Sequence, residues 1–137
     1  MTVVSEPAGQ QSDILYESAR VSAAALRTFG RIADLWQLKP NERQRLLGMP
    51  RSTYFSSTKA PERARLSPDT LERISYVLGI YKALQILLPR REAADSWIRR
   101  PNGAPVFNGH SPLDLMLGGK VANLYLVRRY LDGERGW

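Results

Sequence analysis

The sequence predicts an all-α protein. Apolar residues recur every three or four positions through each of its longer segments, Ser-Pro pairs and glycines mark where those segments start and stop, and no stretch alternates with the two-residue period of a strand. Only Pro105-Val106-Phe107 offers a brief extended piece. A length of 137 residues with 43% hydrophobic content suits one body with a modest core, with room for two lobes.

Taken in order, residues 1–12 mix Pro, Gly, Gln and Ser with little apolar content, which reads as a flexible tail. Structure is expected from about Asp13. Between Ile14 and Trp36 the apolar positions Ala19, Ala23, Leu26, Phe29, Ile32, Ala33 and Trp36 keep helical spacing, giving one or two helices with Gly30 as a possible break. A short helix then runs from Asn41 to Leu47 behind Pro40, and a second from Arg51 to Ser57, separated by Gly48-Met49-Pro50. Ser67-Pro68-Asp69 combines a capping hydroxyl, a proline at the first helical position and an acid facing the helix dipole. The helix it launches should reach about Leu88, with Leu71, Ile74, Val77, Leu78, Tyr81, Leu84, Leu87 and Leu88 on its apolar side and Pro89 beyond its end. A short helix from Glu92 to Ile98 carries Trp97, and Arg100-Pro101-Asn102-Gly103-Ala104-Pro105 forces an irregular loop. Ser111-Pro112-Leu113-Asp114 repeats the Ser-Pro start, and Gly118-Gly119 ends that helix. The last helix is expected from Lys120 to Leu131, with Val121, Leu124, Tyr125, Arg128 and Leu131 on one face and Gly133 as its stop.

The net charge of +7 favours polyanionic partners. The excess is local: from Lys39 to Arg65 seven bases (Lys39, Arg43, Arg45, Arg51, Lys59, Arg63, Arg65) face two acids, Glu42 and Glu62. That segment also holds the helix, tight turn and helix described above. A helix-turn-helix needs a turn residue tolerant of positive φ, buried contacts beside it, and a second helix whose small polar or basic side chains face the major groove. Gly48 supplies the turn, and Leu46, Leu47 and Met49 the contacts. Arg51, Ser52, Thr53, Ser56, Ser57 and Lys59 are the candidate DNA-binding residues, whereas Tyr54 should pack inward. The competing reading makes the hairpin a plain corner of a helical protein. A single small helix-turn-helix grips DNA best as a dimer, so a homodimer is expected, with Tyr76, Ile80 and Tyr81 as either interface or core.

Catalysis has no support in the residues. There is no cysteine, so disulfides, thiolate metal sites and cysteine nucleophiles are excluded. His110 is the single histidine and lies in a Gly- and Pro-rich loop, and Gly118-Gly119-Lys120 lacks the spacing of a phosphate-binding loop. No cofactor and no metal is expected. No apolar run approaches a membrane span and the N-terminus lacks the pattern of a signal peptide, so the expectation is a cytoplasmic protein with no membrane partner.

Several segments together resemble the MbcA/ParS/Xre antitoxins. Leu46-Leu47-Gly48-Met49-Pro50-Arg51-Ser52-Thr53 is similar to the family's Xre-like helix-turn-helix. Trp97-Ile98, Arg100-Pro101-Asn102, Phe107 through Met116, Gly119-Lys120-Val121 and Leu131-Asp132-Gly133 follow its C-terminal pattern. The resemblance implies an Xre-like helix-turn-helix lobe (13–89) followed by a small C-terminal helical toxin-binding lobe (90–137). It further implies an antitoxin that neutralises a RES-domain toxin, an NAD-destroying enzyme, by covering its active site, and that binds operator DNA to repress its own operon. Toxin contact would then fall to Arg128, Arg129, Tyr130, Arg135 and Trp137. Independently of the family, Gly133-Glu134-Arg135-Gly136-Trp137 places an Arg and a Trp, types that dominate interface energies, on a terminus. A stand-alone helix-turn-helix regulator with no toxin remains the alternative.

Overall fold

In the computed structural model, the backbone of residues 8–136 and the side chains of residues 18–136 are described. Helix α4, Pro68–Leu87, is the axis on which the rest packs. Its apolar residues occupy most of its circumference, and it meets α1 (Ala8–Leu35), α2 (Pro40–Leu47), α5 (Arg91–Ser96) and α7 (Val121–Glu134). Thr70, Ile74, Val77, Ile80, Ala83 and Leu84 are all buried. A helix with apolar residues on nearly every side is a core helix, not a surface one. The remaining elements are α3 (Arg51–Lys59), 3₁₀ turns at Pro61–Arg63 and Trp97–Arg99, and α6 (Pro112–Met116); no strand occurs among the described residues.

The Ser-Pro start signals act as the sequence predicts. The Ser67 hydroxyl accepts from the Thr70 N–H at 3.1 Å and the Ser111 hydroxyl from the Asp114 N–H at 3.2 Å, each satisfying an amide that the first helical turn leaves open. Thr70 in turn donates its hydroxyl to the Leu47 carbonyl at 3.0 Å, fixing the end of α2 against the start of α4.

Three boundaries differ from the sequence reading. α1 is one continuous helix through Gly30 and reaches back to Ala8, because Ala8, Gln10 and Gln11 are helix formers that extend the pattern; residues 1–7 lie outside the described residues. α7 passes through Gly133 to Glu134, since Gly133 keeps helical geometry and the left-handed residue that follows the helix is Gly136, at φ 79°. On α7 it is Leu124, Val127 and Leu131 that are buried, while Tyr125 is 44% exposed.

One continuous core runs from Leu26, Phe29 and Trp36 on α1, through α4, to Ile98, Phe107, Met116, Leu124 and Leu131. The halves before and after residue 89 therefore share buried surface. Arginines fasten the same seam by donating to backbone carbonyls. Arg45 of α2 donates to the Leu117 carbonyl, Arg73 to the Gly119 carbonyl at 3.0 Å, and Arg99 to the Trp36 and Gln37 carbonyls at 3.0 and 2.6 Å. The last contact secures the corner that ends α1, where Gln37 adopts a left-handed φ of 56°.

Candidate functional site

The helix-turn-helix is built on Gly48. Its φ of 66° ends α2 in the left-handed region, and its N–H bonds the Gln44 and Arg45 carbonyls. Leu46 and Leu47 are fully buried, Met49 packs against the same core, and Tyr54 turns inward at 7% exposure, as the sequence indicates. These contacts set α3 across the surface with Arg51, Ser52, Thr53, Ser56 and Lys59 exposed. Ser57 is the exception. It is 8% exposed on the same inner side as Tyr54, so it is not on the face that could meet DNA. Helical phase explains this, because Ser57 follows Tyr54 by three residues.

The basic segment is less free than its count of charges implies. Arg43 forms an ion pair with Asp34 at 2.9 Å and donates to the Leu38 carbonyl, and Arg45 is engaged with Leu117. Lys39, Arg51, Lys59, Arg63 and Arg65 of this segment are exposed. Sequence reasoning passed over Phe55. Its ring is 46% exposed on α3, meets Tyr54 edge-on at 5.3 Å between centroids, and carries the Arg51 guanidinium 5.4 Å from its centre.

On and beyond α7, the expected toxin contacts among the described residues do not form one cluster. Arg128 lies against α4: its guanidinium bonds Asp132 at 3.0 and 3.1 Å and occupies the space that a Cβ on Gly79 would take. Arg129 is exposed, and both arginines border an open groove with Tyr76, Tyr125 and Asp132. Tyr130 faces the opposite side of α7, stacked on Trp97 at 6.2 Å and edge-on to Phe107 at 5.1 Å. Arg135 is half-buried at the C-cap, where its N–H bonds the Leu131 carbonyl, and Trp137 lies outside the described residues. Ile80, offered as a possible dimer contact, is fully buried in the core; Tyr76 is half-buried against Tyr125.

Burial among the rings, and next the Glu134 carboxylate, push the Tyr130 phenol above the ordinary tyrosine value. A folded-state pKa above the unfolded one means that the folded chain holds the proton longer. The stability this contributes is present in full below the unfolded value and is lost as pH rises through the folded one. Tyr130→Phe is therefore expected to flatten the fall in stability in the strongly alkaline range, from the ordinary tyrosine value upward, read as the slope of unfolding free energy against pH; an unchanged slope there contradicts the assignment.

The His110 side chain is exposed at the rim of a shallow cavity that Glu42, Arg99, Ser111 and Asp114 also line, and its backbone helps close the loop: the His110 carbonyl accepts from the Asn102 N–H at 3.0 Å. Among the described residues no group of His, Asp or Glu side chains is arranged to hold a metal ion, and no helix is long and apolar enough to cross a membrane.

Fold and site together define an all-α protein with a helix-turn-helix in its N-terminal half and a helical lobe sharing its core. Residues 17–79 match the antitoxin Xre-like helix-turn-helix domain, and residues 83–136 match the antitoxin Xre/MbcA/ParS C-terminal toxin-binding domain. An uncharacterized protein of Sinorhizobium fredii, y4oB, is 51% identical over 121 residues, covering 88% of this chain and 90% of the relative. The chain belongs to the Xre/MbcA/ParS antitoxin family.

Proposed function

We propose that this antitoxin binds operator DNA through the exposed face of α3, represses its own operon as a homodimer, and neutralises a RES-domain, NAD-degrading toxin through α7 and the residues after it, without catalysis of its own. The observation that carries the DNA reading is the outer face of α3, where Arg51 and Lys59 flank Ser52 and Ser56 directly after the left-handed turn at Gly48. An arginine fork suits guanine or phosphate, the hydroxyls offer short hydrogen bonds, and the lysine neutralises a phosphate. A homodimer with twofold symmetry would read two half-sites about 34–36 Å apart.

Support for the toxin reading is the match of residues 83–136 to a toxin-binding domain, together with the outward position of Arg129 and the placement of Arg135 at the end of α7. A guanidinium suits a pocket shaped for a nucleotide cofactor, because such pockets offer anion-binding and stacking surfaces. On this reading Arg128 and Tyr130 brace the helix that presents the contact, since both are held by intramolecular partners.

For DNA binding, Arg51→Ala is expected to weaken the affinity for the promoter duplex by about 1–3 kcal/mol, and the affinity of the native chain should fall linearly with salt on logarithmic axes. Fluorescence anisotropy across a salt series measures both. Insensitivity to salt and to Arg51→Ala together would mean that α3 is not the DNA-binding face.

A further inference from the structure

We infer that Phe55 reads the C5-methyl group of a thymine next to the base or phosphate gripped by Arg51, the two side chains acting as one base-reading unit; this rests on the reading of α3 as the helix that enters the major groove. α3 has its own inward anchor in Tyr54, which is buried, so the exposure of Phe55 is not the result of a helix lacking a core-facing side. The ring is held from two directions. Tyr54 meets it edge-on at 5.3 Å, and the Arg51 guanidinium lies 5.4 Å from its centroid, one helical turn earlier.

This arrangement leaves a ring face or edge turned outward on the same surface as Ser52, Ser56 and Lys59. Beside it, a cleft of about 230 Å³ opens between the starts of α2 and α3, lined by Pro40, Asn41, Gln44, Arg51 and Phe55. A surface that combines an arginine fork, amide side chains and an apolar ring matches the floor of the major groove, where guanine shows two acceptors and thymine shows the one apolar group, its methyl. The positive charge of Arg51 and Lys59 argues for a polyanion as the occupant, in preference to an apolar segment of another protein. Stacking on the ring also limits the rotamers of Arg51, so less freedom is lost when its fork engages DNA.

The test is a chemical double-mutant cycle. Duplexes are selected from a random-sequence pool by the native protein, then resynthesised with deoxyuridine replacing thymidine at one position at a time, which removes only the methyl group. One position per half-site is expected to lower the affinity of the native chain by about fourfold, the effect of one buried carbon. With Phe55→Ala, which alters an exposed side chain, the uracil and thymine duplexes should bind equally, while Arg51→Ala should weaken both. Overturning outcomes are a uracil penalty that persists in Phe55→Ala, or the absence of any uracil-sensitive position in duplexes that the native chain binds tightly. Failure of the native chain to select any duplex would remove the DNA reading itself and this inference with it, a result distinct from tight binding that ignores the methyl.

Discussion

Replacing Phe107 with alanine is expected to lower the free energy of unfolding by about 3–5 kcal/mol, a large part of the roughly 5–15 kcal/mol that holds a domain together. Phe107 is 3% exposed and plugs the loop between α5 and α6. That loop closes on itself: the Asn102 N–H bonds the His110 carbonyl, the Gly109 N–H bonds the Asn102 carbonyl, and the Asn102 side chain accepts from the Ala104 N–H. Asn108 and Gly109 adopt left-handed φ values of 50° and 82° to make the return. The ring then meets Trp97 at 5.8 Å and Tyr130 at 5.1 Å, so it joins the loop to the start of the C-terminal lobe and to α7. Truncation leaves a cavity among three elements and removes two edge-on ring contacts. Because the core is continuous from α1 to α7, urea unfolding followed by tryptophan fluorescence and by circular dichroism should give one transition at a lower midpoint. A separate early transition of the C-terminal half, with the helix-turn-helix still folded, would contradict the shared core.

Gly48→Ala is expected to cost about 2–4 kcal/mol, from the left-handed backbone and from the loss of a buried arginine's hydrogen bonds. A Cβ at this position would stand 2.5 Å from Nε of Arg73, a side chain with little room to retreat. Arg73 is 8% exposed and bonds the Asp69 carboxylate at 2.8 Å and the Gly119 carbonyl at 3.0 Å. Displacing it removes a tie between the helix-turn-helix and the α6–α7 loop. Gly109 is the control: its φ is also positive, at 82°, yet a Cβ there meets nothing within 4 Å, so Gly109→Ala should cost only the backbone component of about 1–2 kcal/mol. Equal losses for the two substitutions, measured by denaturant unfolding, would show that the contact with Arg73 is immaterial.

The helices were legible because their signals are local. Ser67 and Ser111 cap as their positions dictate, Gly48 takes the left-handed turn, and the spacing of Leu26, Phe29, Ile32 and Trp36 marks the inner face of α1. Distant partners were not legible. Arg45 counts in the sequence only as one charge of the basic segment and nothing there marks Arg73 or Arg99, yet each bonds a carbonyl some 46 to 72 residues away along the chain. Gly79 gives no sign in the sequence that it makes room for Arg128. The faces of α3 were only partly readable, because a nine-residue helix with two adjacent aromatics, Tyr54 and Phe55, does not fix its own phase. The structure resolves it by turning Tyr54 and Ser57 inward and Phe55 outward.

The most direct test of the proposal is the rate of NAD loss catalysed by a purified RES-domain toxin, the proposed class of partner, titrated with the purified antitoxin. The account predicts that NAD loss stops at a stoichiometric amount of the full chain, and that a chain lacking Glu134 to Trp137 fails to stop it while still binding promoter DNA. NAD loss that continues unchanged in excess antitoxin, or that the shortened chain arrests equally well, would contradict the proposed partner in the first case and the proposed contact in the second.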